Sequence, residues 1–255
     1  MSLAHILLIM LAGVAAGTIN TVVGSGTLIT FPTLLAFGYP AVTANISNTV
    51  GLVAGGVSGS WGYRREITAG RQRLRQLAPM SLLGAVVGAL LLIWLPPSAF
   101  KAIVPVLILV GLLLVVFGPR LQRRMAAHHP DGTQPESAGR KVALAGGVFF
   151  AGVYGGYFGA AQGVLLMGLL SALLPDSLQR LNGIKNVLGT IVNGVAAMVF
   201  IIVSFHNVRW WVALLIAIGS LIGGLVGAKV GRKLPPWLLR AFIVVVGVVA
   251  IVTMI

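Results

Sequence analysis

Six asparagines, Asn20, Asn45, Asn48, Asn182, Asn186 and Asn193, stand in or at the ends of long apolar stretches. A buried amide without a partner costs about 1 to 3 kcal/mol, so each must meet another segment or a ligand. Asn45 and Asn48 are three apart, and Asn182, Asn186 and Asn193 are spaced four and seven, so on helices each set shares one face. Lys185 lies beside the second stripe and is the one cation well placed within an apolar segment near it. The four acidic residues, Glu66, Asp131, Glu136 and Asp176, all fall in or beside polar connections, which leaves no carboxylate relay and no carboxylate sodium site inside the apolar segments. Both asparagine sets follow a proline break, at what should be the first turns of helices, where free amide hydrogens and the positive dipole end favour anions. Amide donors, a dipole and one lysine without nearby carboxylates describe an anion site. The competing reading is structural, with asparagines bridging helices and the lysine snorkelling to the headgroups.

Glycines complete the candidate set. Gly24 and Gly26 interrupt an apolar segment where exposed backbone could coordinate a ligand, and Gly159 holds the matching place in the second half, with Gln162 just beyond it. The expected substrate-binding residues are therefore Asn20, Gly24, Gly26, Asn45, Asn48, Gly159, Gln162, Asn182, Lys185 and Asn186. In contrast, Gly51, Gly55 and Gly59, and Gly219, Gly223, Gly227 and Gly231, recur every four residues as close-packing positions. There is no P-loop, HExxH or GxSxG, no cysteine, and the one close histidine pair, His128 and His129, sits in a polar stretch. No catalytic residue, metal or cofactor is expected.

The elements that must hold these residues are membrane helices. Hydrophobic residues make up 58% of the 255 and charged residues 9%, with a mean hydropathy of +1.01. Such a chain is an all-α polytopic membrane protein. Its net charge of +14 resides in short connections and reads as topology signals and contacts to anionic lipid, not as a nucleic-acid surface. The N-terminus lacks the cationic start of a signal peptide and is read as the first membrane segment.

The stretch from Gly17 to Asn48 recurs from Gly152 to Asn186, with Gly24 falling on Gly159 and Pro40 on Pro175. This predicts two homologous repeats, residues 1–117 and 141–255, joined by a polar linker at 118–140, with about 8 to 10 membrane segments including broken or re-entrant helices. Full helices are expected over 42–63, 77–95, 99–117, 181–205, 208–230 and 236–255. With an odd number of crossings per half, fifteen Lys and Arg residues lie inside and two, Lys101 and Arg209, outside; an even number gives eleven to six. The odd count makes the halves inverted with respect to each other, which supports alternating access.

The motif G-x-x-N-x-x-x-G-x-G at Gly17 to Gly26, Pro32, the Asn45–Asn48 helix ending in WGYRRE, and the second copy with Asn182, Lys185 and Asn186 resemble the TauE/SafE sulfite exporter family, also grouped as toluene-sulfonate uptake permeases. Thr27, and the run Ala160, Ala161 and Gln162, stand where members often carry glycine. The resemblance implies a secondary transporter of sulfite, sulfoacetate or other sulfonates, commonly outward, in the bacterial cell inner membrane. It also implies seven or eight segments from a doubled four-segment unit, an even count. A proton or sodium ion as coupling partner stays open, and the Gly-rich faces permit a homodimer without requiring one. Two other classes are compatible with the residues: a passive anion channel and a membrane scaffold subunit.

Overall fold

The computed structural model describes residues 2–127 and 138–230, together with positions 241, 244, 245 and 248. Among these residues all regular structure is helical, as the composition predicts. In chain order the helices are α1 (Leu3–Val22), α2 (Thr27–Ala36), α3 (Ala41–Gly62), α4 (Arg64–Ala69), α5 (Arg71–Trp94) and α6 (Pro97–Ala127). After them come α7 (Ala138–Tyr157), α8 (Gln162–Leu173), α9 (Leu178–Val203), a 3-10 turn at Phe205–Asn207, and α10 (Trp210–Val230). The expected helix at 236–255 and Gly231 lie outside the described residues, apart from the four positions named.

Among the described residues, five stretches are long and apolar enough to cross a bilayer: Leu3–Val22, Arg71–Trp94, Pro97–Phe117, Leu178–Val203 and Trp210–Lys229. The protein is a multi-pass membrane protein. α2 and α8, at 10 and 12 residues, rise only about 15 to 18 Å and reach about halfway through the hydrocarbon. α3 has 22 residues but carries buried Thr43, Asn45, Ser47, Asn48 and Thr49, because it touches α1, α2, α9 and α10 at once. Its polar groups face other helices, not lipid.

Several helices run past the limits that hydropathy suggests. α5 begins at Arg71 instead of Leu77, and α6 continues to Ala127 instead of ending at Phe117. Arg, Gln, Leu, Met and Ala are good helix formers, so the chain stays helical where it turns polar. Starts are marked locally, by Ser2 Oγ accepting from His5 N–H at 3.3 Å and Ser177 Oγ accepting from Arg180 N–H at 3.4 Å.

The long, short, long order of α1, α2 and α3 recurs in α7, α8 and α9. Packing crosses between the halves: α10 lies against α1 and α3, whereas α5 lies against α7 and α9. The seams are glycine faces. A Cβ at Gly223 would stand 2.1 Å from Val14 O, and one at Gly88 2.0 Å from Val153 O, so at these points backbones touch directly. Two apolar cores result. One gathers α1, α2, α3, α6 and the start of α10 around Phe31, Phe100 and Phe158; the other joins α5, α7, α8 and α9 through Leu77, Val148, Leu166 and Leu188.

Candidate functional site

Both short helices are preceded by a break with a left-handed glycine: φ is +89° at Gly24 and +75° at Gly159, and Ala161 at the start of α8 is also left-handed at +61°. Glycine adopts such angles without the Cβ clash other residues suffer, which explains why the breaks fall there. Gly26 has ordinary helical angles; it is needed because a Cβ there would lie 2.6 Å from Ala16 O. The two breaks meet. Gly163 N–H donates to Gly24 O at 3.0 Å, and a Cβ on Gly24 would fall 2.3 Å from Gly163 Cα.

Around this crossing lies a cavity of about 20 Å³ whose lining includes Asn20, Gly24, Gly159, Gln162, Lys185 and Asn186. That is room for one or two waters. Six of the ten predicted residues converge there; Gly26, Asn45, Asn48 and Asn182 stand behind it. Asn193, Thr21, Thr27, Gly56, Gly163 and Gly189 complete the lining. The seven-residue step from Asn186 to Asn193 was a usable signal for Asn193, whereas Thr21 and Thr27 carry no signature that separates them from ordinary helix threonines.

The α9 stripe does not act at its own helix start. Asn182, Lys185 and Asn186 lie in the second and third turns of α9 and reach across to the C-terminal end of α1. Lys185 Nζ donates to Asn20 O at 3.3 Å and to Thr21 O at 3.1 Å, while Asn186 Nδ2 and Asn182 Nδ2 approach the same Thr21 carbonyl at 3.2 and 3.4 Å. These are carbonyls that a helix end leaves without partners, and the negative dipole end suits an ammonium. Lys185 is only 2% exposed, and its stem passes Gly163, where a Cβ would meet its Cδ at 3.2 Å. Lys185 thus caps the end of a broken helix, from a position later in α9 than the first turn expected for this stripe.

Asn48 and Asn45 brace the breaks. Thr30 Oγ1 donates to Asn48 Oδ1, and Asn48 Nδ2 donates to Thr27 Oγ1 at 3.3 Å, which ties α3 to the first turn of α2. Asn45 Nδ2 donates to Tyr157 O at 2.9 Å, at the last turn of α7. Both asparagines are fully buried.

Several polar atoms in this region are buried without a protein partner: Ser25 Oγ, Asn45 Oδ1, Gln162 Nε2 and Asn182 Oδ1. The N–H groups of Ser25 and Thr27, at the start of α2, likewise have none among the described residues. Buried polar groups normally are paired, so this concentration marks a place for water or a polar ligand. The described carboxylates, Glu66 on α4 and Asp176 ahead of α9, lie away from the lining, and no group of three or more His, Cys, Asp or Glu converges among the described residues.

Five bilayer-length stretches among the described residues, with two helix breaks meeting at a shared polar chamber, define a polytopic membrane protein. Residues 9–254 match the family described as Sulfite exporter TauE/SafE. Relatives include YfcA of Escherichia coli K12, named "Probable membrane transporter protein YfcA", 28% identical over 68% of this chain and 64% of that protein. A "Probable membrane transporter protein" of Haemophilus influenzae is 26% identical over 82% of this chain and 78% of that protein. One of Sinorhizobium, "Probable membrane transporter protein ORF9", is 34% identical over 40% of this chain. The chain thus spans 39% of the Sinorhizobium relative and 64% of the E. coli one. No solved structure matches it. The chain belongs to the TauE/SafE sulfite exporter family.

Proposed function

We propose that the protein carries small organosulfur anions, such as sulfite, sulfoacetate or other sulfonates, outward across the bacterial inner membrane by alternating access. The observation that carries this reading is the buried Lys185 ammonium facing, together with the unpaired Gln162 Nε2 donor, a chamber whose lining holds no carboxylate among the described residues. A trigonal or tetrahedral oxyanion accepts several hydrogen bonds at once. Gln162 Nε2, the third Lys185 hydrogen and the free amides at the start of α2 would supply them. With the site empty, Asn20 O and Thr21 O hold the ammonium in place.

The 20 Å³ chamber is smaller than such an anion, so binding requires the walls to part. The crossed packing gives a route: α1, α2, α3 and α10 move against α5, α7, α8 and α9, across the α3–α9 face and the Gly24–Gly163 crossing. The parallel roles of α5 and α10 favour a doubled unit, inverted between the halves around the polar linker. A proton or sodium ion as the coupling partner, and a homodimer, remain compatible with this scheme.

The test is a thermal-shift series on the detergent-purified protein with sulfite, sulfoacetate and benzenesulfonate, against acetate and chloride. A ligand bound only to the folded state raises the melting temperature by mass action. A rise confined to sulfur oxyanions, absent from Lys185→Met, is the expected result; a rise with acetate alone would reject the sulfur assignment.

A further inference from the structure

We propose a second ligand site, for the headgroup of an anionic phospholipid, in the cleft where the C-terminal ends of α3 and α10 meet α4. The cleft measures about 300 Å³ and is lined by Trp61, Arg64, Arg65, Glu66, Leu225 and Lys229, among others. Three cations face one carboxylate, and Glu66 is itself engaged within the protein. Arg64 is held ready: its guanidinium lies 4.2 Å from the centroid of the Trp61 ring, and its Nη1 donates to Trp61 O at 3.2 Å. Arg65 and Lys229 are exposed and make no hydrogen bond or ion pair among the described residues. A planar fork beside a point charge suits a phosphodiester.

A lipid, not a free phosphate, fits because the cleft continues into an apolar track. α3 and α10 run parallel here, since Gly51 meets Ile216, Gly55 meets Ser220 and Gly62 meets Ala228. Val57 and Trp61 on α3 lie one turn apart and are 56 and 58% exposed, and on α10 Leu221 and Ile218, which precede the cleft-lining Leu225 on the same side of the helix, are 46 and 43% exposed, leading from the cleft along both helices. An acyl chain would lie on that track with its phosphate among the cations, and Trp61 stands at headgroup level.

The experiment measures native mass spectra and melting temperatures of the full chain in neutral detergent with phosphatidylglycerol, phosphatidylcholine or sodium phosphate. Phosphatidylglycerol is expected to stay bound and raise the melting temperature, with little effect of the other two. The double variant Arg65→Gln/Lys229→Gln should weaken that binding about thirtyfold, and Arg65→Gln alone about fivefold, while Arg71→Gln/Arg75→Gln changes nothing. Both altered side chains are exposed and unpartnered, so the lipid-free melting temperature serves as the folding control. Equal binding by the double variant, equal retention of phosphatidylcholine, or equal protection by inorganic phosphate would each overturn the assignment.

Discussion

Lys185 and Gln162 face one chamber, and substituting either should weaken anion binding, but only at Gln162 should it stabilise the empty protein. Removing the Lys185 ammonium takes the charge out of the site, so Lys185→Met should cost at least a hundredfold in anion affinity, about 2.7 kcal/mol. Its stem fills space beside Gly163, and methionine keeps most of that volume, so the protein should still fold. Gln162 is buried with an unpaired Nε2, a cost borne by the empty protein. Gln162→Met should therefore raise the melting temperature, with a gain of about 1 kcal/mol, and lower anion affinity about tenfold. A variant that lost stability as well as affinity would show that the Gln162 amide is structural. Both residues stood in the expected set, Lys185 as a charge within an apolar segment and Gln162 by its place just beyond Gly159. Which groups Lys185 would touch was not legible, because the Thr21 carbonyl is a backbone atom that no side-chain pattern announces.

Among the elements, the broken helices α1/α2 and α7/α8 frame the chamber, and their glycines differ in how much they are constrained. Gly24→Ala combines a left-handed φ with a Cβ 2.3 Å from Gly163 Cα, and should destabilise by more than about 2 kcal/mol or abolish recovery of folded protein. Gly38 has φ +80° and open space around it, so Gly38→Ala should cost only about 1 kcal/mol. Comparing melting temperatures of the two variants separates the close approach from the backbone angle. The breaks were readable from Gly24, Gly159 and their shared distance to Pro40 and Pro175. The six-residue α4 was not, because Arg64 to Ala69 is too short for a periodic pattern and too polar to register as membrane helix. The bracing role of Asn45 and Asn48 was equally hidden: two asparagines one turn apart show a shared face, not whether it meets ligand or neighbouring helix.

For the whole molecule, the crossed arrangement of α5 and α10 gives the proposed movement its two bodies and joins them where backbones touch. The chain has no cysteine, so a single introduced thiol reports alone. Asn193→Cys, on the chamber wall, should react with a membrane-impermeant thiol reagent from either face of the membrane only in part, and a bound sulfonate should slow the reaction. Fast reaction from both faces at once would indicate an open pore. The all-helical fold class could be read from composition, but the packing of α10 on α1 and α3 and of α5 on α7 and α9 could not, since it is a choice of partners among glycine faces of similar spacing. The most direct measurement is counterflow in proteoliposomes preloaded with unlabelled sulfite. The account predicts transient, saturable accumulation of labelled sulfite, inhibited by sulfonates and absent from Lys185→Met. Uptake that is neither saturable nor stimulated by preloading, or that is unchanged in the variant, would contradict it.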